Sequence, residues 1–157
     1  ADAELPAAAN LEAFVAQRGE RQTLALSRAR LEPTDHLGRA LALASHADVV
    51  RRDDTRSVIA GYPWFLDWGR DSLICARGLL AAGLLDEVRE LLVTFGRFEQ
   101  DGTLPNSIHG TDASNRDTSD APLWFGVVCE ELAEAICSSA GQSSLTSQPA
   151  APAPLNT

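Results

Sequence analysis

The sequence predicts an all-α fold built from helical hairpins. Apolar residues recur at three- and four-residue spacing in four stretches between residues 35 and 137, and each stretch follows a residue that commonly starts a helix. The chain has 157 residues, 45% of them hydrophobic, which is enough for one core of ordinary size. We therefore expect residues 35–137 to be overwhelmingly helical.

The first predicted helix begins after Thr34 or Asp35, either of which can cap it. Its apolar stripe consists of Leu37, Ala40, Leu41, Ala44 and Ala47. The arginine pair at positions 51 and 52 is then expected to be a solvated helix end. In the following segment only residues 55–65 favour an extended strand, because Val58 and Ile59 are β-branched.

The second and third predicted helices form a hairpin with a short turn. The second begins near Gly69 or Arg70 and ends at a capping glycine, Gly83. The third begins at Asp86, a plausible N-cap. The main apolar positions of the pair are Leu73, Ile74, Leu80, Val88, Leu91, Leu92 and Phe95.

The fourth predicted helix starts between Ser119 and Pro122, because proline is tolerated in a first helical turn. It carries Leu123, Trp124, Val127, Val128, Leu132 and Ile136. Residues 138–157 are rich in Ala, Ser and Pro, and we expect a disordered tail there. Residues 1–34 remain an N-terminal segment of uncertain structure, in which only residues 11–17 favour a short helix.

Charge and composition exclude several classes of function. Thirteen arginines against 22 acidic residues give a net charge of −9, which disfavours nucleic acid as a partner. No apolar run approaches the roughly 18 residues of a membrane span, so we expect no membrane partner and a cytoplasmic location. The three cysteines show no metal-binding spacing, and we predict neither a metal nor a cofactor.

Two polar segments lead into helix N-termini and suggest a binding site. They read AGYPWFLDWGRD at residues 60–71 and PNSIHGTDASNRDTSDAPLW at residues 105–124. Aromatic rings stack on the CH faces of a sugar, while carboxylates and guanidinium groups bind its hydroxyls. The alternative is that the rings anchor a loop on the core, with Arg70 and Asp71 capping the helix. Two such ends on one face favour a saccharide site.

The stretch at 60–106, AGYPWFLDWGRDSLICARGLLAAGLLDEVRELLVTFGRFEQDGTLPN, followed by NRDTSDAPLWF at 115–125, resembles a known family. It is similar to the C-terminal, amylo-α-1,6-glucosidase domain of glycogen debranching enzymes, particularly the bacterial forms. The resemblance implies a glucoamylase-like (α/α) toroid of six hairpins, of which residues 35–137 would be a part. It also implies a substrate-binding set: Trp68, Arg70, Asp71, Asn106, Asp117, Asp120 and Trp124.

The resemblance further implies hydrolysis of the α-1,6-linked branch glucose of glycogen or limit dextrin, with inversion. That reaction needs two carboxyl groups roughly 6.5–9.5 Å apart. In the family the acid lies on a later Trp-Met-Asp segment, whereas this chain contains no methionine. We therefore expect an incomplete, inactive fragment of a glycogen-degrading glycosidase, with Asp71 and Asp120 as fallback catalytic candidates only.

Two alternatives to a glycosidase fragment remain. One is a non-catalytic carbohydrate-binding or regulatory remnant, and the less favoured one is a helical scaffold for a protein partner. Missing hairpins would also leave the inward faces of Leu73, Leu91 and Phe95 uncovered. On that basis we expect self-association through exposed apolar faces.

Overall fold

The computed structural model describes residues 8–117 and 119–145. Along these residues the elements run in the order α1 (Ala8–Ala29), α2 (His36–Ala47), β1 (Val49–Arg52), β2 (Thr55–Val58), β3 (Asp67–Trp68), α3 (Gly69–Ala81), α4 (Leu85–Gly96), β4 (Ser107–Ile108) and α5 (Ala121–Leu145). The fold class is all-α, as predicted, and β1–β2 and β3–β4 are two small antiparallel pairs. Within the described ranges, none of the helices combines the length and apolar character needed to cross a bilayer.

The core lies where α3, α4 and α5 pack together with β2. Leu73 of α3 and Phe95 of α4 have no exposed surface, and Leu91 is 1% exposed. The expectation that these three side chains would be uncovered is therefore wrong. The stripes of α3 and α4 face each other and the buried Val128 of α5, so the described helices are sufficient to cover them.

The turn between α3 and α4 is a Schellman motif built on Gly83, as the sequence predicted. Gly83 has φ +77°, and its N–H donates to the carbonyl of Leu80 at 2.9 Å, while the N–H of Leu84 donates to that of Leu79 at 2.9 Å. This turn leads directly into α4, so Leu84 precedes the helix and Asp86 lies in its first turn. Asp86 is thus not the N-cap, although its charge suits the helix N-terminus.

Helix α2 begins as predicted but buries the opposite face. The Gly38 N–H donates to Asp35 Oδ1 at 2.8 Å, which confirms the Asp35 cap. However, Leu37 is 71% exposed and Leu41 58% exposed, and the buried residue of this helix is Ala42. Because Leu and Ala alternate around α2, both faces are apolar and periodicity alone could not decide which one would pack.

The arginine pair lies in a β-hairpin rather than at a solvated helix end. Strand β1 pairs antiparallel with β2, Val49 opposite Val58 and Arg52 opposite Thr55. The turn between them contains Asp53 with φ +50°, a conformation that Asp tolerates. The extended segment predicted at 55–65 is confirmed only for Thr55–Val58, and residues 48–68 and 97–120 contain strands and turns rather than the helix expected across most of 35–137.

Both terminal helices are longer than the sequence suggested. Helix α1 occupies Ala8–Ala29, although only a short helix at 11–17 was expected, and α5 continues to Leu145, past the boundary at 138 where a disordered tail was expected. Extending a helix costs less free energy than nucleating one, so residues with a weak helical preference can continue a helix that is already packed. Residues 1–7 and the remainder of the expected tail, 146–157, lie outside the described residues.

Candidate functional site

The two polar segments meet in a short antiparallel pair. Asp67 of β3 lies opposite Ile108, and Trp68 lies opposite Ser107 of β4. Immediately afterwards the Gly69 N–H donates to the carbonyl of Asn106 at 2.8 Å. A Cβ atom at Gly69 would stand 2.5 Å from the carbonyl oxygen of Pro105, so the close approach requires glycine here. The first turn of α3 is thereby fixed beside Asn106.

Asp67 and Trp68 have different roles because adjacent strand residues point to opposite sides. Asp67 is almost fully buried, and Arg52 Nη1 donates to its Oδ2 at 2.7 Å. Arg52 also donates through Nη2 to the carbonyl of Gly110. Through these two contacts Arg52 joins the β1–β2 hairpin to both polar segments, and Trp68 is half-buried on the other side. This role of Arg52 could not be predicted from the sequence, because nothing in its own segment indicates which later residues it will contact.

The N-termini of α3 and α5 are joined by a bidentate ion pair. Arg70 Nε donates to Asp120 Oδ2 at 2.6 Å, and Arg70 Nη2 donates to Oδ1 at 3.0 Å. These hydrogen bonds from Arg70 hold the pKa of Asp120 below its ordinary value, and they raise the pKa of Arg70. Asp120 is therefore a carboxylate at neutral pH, and its oxygens are already occupied.

The carboxylate of Asp71 is available by contrast. It is exposed in the first turn of α3 and accepts no hydrogen bond from any residue in 8–117 or 119–145. It lies in an open cleft of about 420 Å³, whose other lining residues are Ala60, Phe65, Trp68, Arg70 and Asn106. The cleft thus contains four of the seven sequence-predicted residues. Phe65 was not among the predicted ligands, although it lies in the same aromatic segment.

The other three predicted residues lie outside this cleft. Asp120 does not line the cleft, but it accepts hydrogen bonds from Arg70, which does. Trp124 is half-buried one turn into α5, where the Arg77 guanidinium lies 5.8 Å from the ring centroid. Arg77 is held there by Glu131, with Nε 2.8 Å from Oε1. Asp117 is exposed in the loop before α5 and does not line this cleft.

The loop that carries Asn106 is anchored to the end of α4. Arg116 donates through Nη2 to the carbonyl of Phe98 at 2.5 Å and through Nη1 to the hydroxyl of Thr103 at 3.0 Å. The Asn106 N–H donates to the carbonyl of Asn115 at 2.7 Å, which folds the loop back on itself. These contacts give the polar connection a defined path past the cleft.

The sequence model of the family described as amylo-alpha-1,6-glucosidase matches residues 39–140, well over half of the chain. The chain belongs to the amylo-α-1,6-glucosidase family. All seven predicted site residues and the whole cleft lie within the matched range. No curated protein and no solved structure matches the chain.

The cleft of this member of the amylo-α-1,6-glucosidase family combines aromatic surface with hydrogen-bonding groups of both kinds. Trp68 and Phe65 supply aromatic surface, and Asp71 supplies a carboxylate that accepts hydrogen bonds from hydroxyls. Two of the three guanidinium nitrogens of Arg70 are used by Asp120, and Nη1 donates to no described residue. The arrangement can therefore bind hydroxyl groups both as donor and as acceptor.

Proposed function

We propose that this chain is part of a glycogen-debranching glycoside hydrolase, and that its cleft binds the terminal glucose of an α-glucan such as glycogen or limit dextrin. The observation that carries the proposal is the Asp71 carboxylate, which has no hydrogen-bond partner among the described residues and lies beside Trp68 in the cleft. A carboxylate and an aromatic surface in one concave site suit a neutral, hydroxyl-rich ligand. The (α/α) toroid implied by the family remains part of this proposal.

Each residue of the cleft has a role in the proposed complex. Trp68 stacks on the apolar face of the glucose ring, and Asp71 accepts hydrogen bonds from its hydroxyls. Arg70 donates through Nη1, and the pair with Asp120 holds its guanidinium in place before the sugar arrives. The side-chain amide of Asn106 adds a further donor and acceptor at the edge.

We further propose that these 157 residues bind the sugar without hydrolysing it. Inverting hydrolysis needs a protonated carboxyl group and a second carboxylate that activates water. Asp120 is poorly suited to either task, since Arg70 holds it charged and occupies both of its oxygens. Asp71 is then the remaining candidate carboxylate of the two, and one carboxylate cannot perform both steps.

A non-catalytic carbohydrate-binding or regulatory module is the second candidate function. The Arg70–Asp120 pair favours it, because the pair supports sugar binding while removing one of two candidate catalytic carboxylates. The two candidate functions make different predictions about the adjacent coding sequence. A glycosidase requires further hairpins with an acidic residue facing the Trp68 cleft, whereas a binding module functions without them.

The test combines an activity assay with calorimetry. We expect the purified chain to release no glucose from an α-1,6-branched dextrin and to bind maltose, with binding lost in Asp71→Asn. Asp101→Asn is the matched control, because Asp101 is an exposed aspartate that does not line the Trp68 cleft. Turnover on the order of 1–10³ per second would show that both catalytic carboxyl groups are within these residues.

A cytoplasmic location and self-association complete the proposal. The three cysteines, Cys75, Cys129 and Cys137, are free thiols, which suits a reducing compartment. Self-association is proposed through apolar side chains different from those first expected, namely the exposed Leu37 and Leu41 of α2. Exposed apolar faces of this kind commonly mark association surfaces.

A further inference from the structure

A separate cleft of about 640 Å³ lies between α1 and α2 and shares no lining residue with the Trp68 cleft. Its side chains from α1 follow the spacing of one helical face, from Phe14 to Ala25. Leu43 and His46 of α2 line it as well, together with Tyr62. We call this space the α1–α2 cleft. Its volume lies within the range of roughly 300–1,000 Å³ that is common for small-ligand sites.

The ionisable groups that line the α1–α2 cleft are basic, apart from the hydroxyl of Tyr62. Arg18 and Arg21 lie one turn apart on α1, and His46 lies in the last turn of α2. None of the described acidic side chains lines the cleft, although the chain has 22 acidic residues and a net charge of −9. The cleft is therefore a local cationic region on an acidic protein.

The two arginines of the cleft are available to a ligand. Arginines elsewhere in the fold have acidic partners, as Arg97 has Asp54. By contrast, the guanidinium groups of Arg18 and Arg21 form no ion pair and donate no hydrogen bond within residues 8–117 and 119–145. Each therefore retains its five N–H donors, in the planar arrangement that suits the oxygens of a phosphate group.

Aromatic surface lies next to these cations. Phe14 precedes Arg18 by one helical turn, and its ring is 59% exposed. Tyr62 supplies a second ring that is 55% exposed, and the side-chain amide of Gln22 supplies a further donor and acceptor. A group attached to a phosphate at Arg18 can therefore pack on an aromatic face in the same cleft.

We propose that the α1–α2 cleft binds a small phosphate monoester that carries an aromatic group. The phosphate accepts hydrogen bonds from Arg18, Arg21 and His46, and the aromatic group packs against Phe14 and Tyr62. Charge-assisted hydrogen bonds of this kind are stronger than those between neutral groups.

The charge of the whole chain favours a small ligand over a nucleic acid. A long polyanion would extend beyond the cleft, and the net charge of −9 would repel it. The proposed site is also independent of the sugar-binding proposal, because residues 14–25 precede the range 39–140 that the family model matches.

Calorimetry on the full chain at physiological ionic strength tests this inference. The probes are phenyl phosphate, inorganic phosphate and phenol, which separate the contributions of the anion and the ring. We expect phenyl phosphate to bind most tightly, inorganic phosphate to bind more weakly, and phenol to show no detectable binding.

Substitutions then locate the bound phosphate. We expect Arg18→Gln and Arg21→Gln each to weaken binding of phenyl phosphate about tenfold, the loss typical of hydrogen bonds between charged groups. Arg39→Gln is the matched control, because it removes the same charge from α2 at a residue that does not line the cleft. Phe14→Ala should weaken binding of phenyl phosphate and leave that of inorganic phosphate unchanged. Circular dichroism of each variant establishes that the helices are retained.

Several results would overturn the inference. Absence of phenyl phosphate binding would refute the site, and an equal loss in Arg39→Gln and Arg18→Gln would show only diffuse attraction to positive charge. An unchanged affinity for phenyl phosphate in Phe14→Ala would refute the aromatic contact. Loss of phenyl phosphate binding in Asp71→Asn would place the ligand in the Trp68 cleft instead. Failure of maltose to bind would refute the proposed function and leave this inference standing.

Discussion

The backbone N–H of Gly69 donates a hydrogen bond to the carbonyl of Asn106 at 2.8 Å, where helix α3 begins. This bond continues the β3–β4 pairing by one residue and brings the loop of Asn106 against the helix N-terminus. Trp68, Arg70 and Asp71 follow one another along this same stretch of backbone. The shape of the cleft therefore depends on a close backbone contact as well as on the side chains that line it.

We expect Gly69→Ala to destabilise the chain by about 1–3 kcal/mol, the usual cost of overpacking a close contact. The added Cβ would stand 2.5 Å from the Pro105 carbonyl oxygen and would separate the two segments. Gly78→Ala is the control, because a Cβ there meets nothing within 4 Å and lies in the same helix. It should be neutral or stabilising by up to about 1 kcal/mol. Urea unfolding of both variants measures the difference, and equal stability would contradict the steric argument.

Removing the charge of Asp67 should be costly. Asp67→Asn leaves the partly buried Arg52 without its carboxylate, and we expect a loss of about 3 kcal/mol of unfolding free energy. The comparison is Asp54→Asn, whose partner Arg97 is a similar distance away but whose pair is solvent-exposed. That substitution should change stability little. A similar small effect at both positions would mean that burial does not strengthen the Arg52–Asp67 pair.

The pKa of Asp120 should rise when Arg70 is removed. In the folded chain the hydrogen bonds from Arg70 depress the pKa of Asp120. The ion pair therefore stabilises the fold above the unfolded pKa of about 3.9, and this stabilisation is lost as the pH falls through the lower folded pKa. Carboxyl NMR titration of Asp120 should show this low value, and Arg70→Gln should return it towards the ordinary one. An unchanged pKa of Asp120 in Arg70→Gln would refute Arg70 as the cause of the low value. Between pH 5 and 8 the charge of Asp120 should not change.

Shortening a leucine to alanine should have different effects on the buried face of α4 and on the exposed face of α2. Leu91→Ala removes side-chain volume from a buried position, and we expect a loss of about 2–5 kcal/mol. Leu41→Ala changes a side chain that is 58% exposed and should alter the stability of the monomer by less than about 1 kcal/mol. Unfolding should be measured at low protein concentration, because self-association would add to the apparent stability.

The same Leu41 variant tests self-association. Analytical ultracentrifugation should show weaker association for Leu41→Ala than for the parent chain. Val93→Ala is a suitable comparison, since Val93 is an exposed apolar residue on a different helix, α4. Equal association of the Leu41 variant and the parent would exclude the α2 face as the contact surface.

The sequence by itself determined where most helices begin, because those signals are local. The Asp35 cap and the Gly83 turn were both predicted from residues that satisfy neighbouring backbone groups or tolerate positive φ. The apolar stripe of α4 was likewise predicted and is buried. The residues of the cleft at Trp68, Arg70 and Asp71 could be named because they follow one another at one helix start.

Only the tertiary structure decided which charges pair and which helix faces are covered. Arg52 with Asp67 and Arg70 with Asp120 are partners across long stretches of chain, and composition gives no reason to choose one aspartate over another. Likewise, α2 is apolar on two sides, so the packing of neighbouring helices selected Ala42 for burial and left Leu37 and Leu41 exposed. The physical reason is the same in each case: caps and turns depend on nearby backbone, whereas ion pairs and buried faces depend on which distant residues the fold brings together.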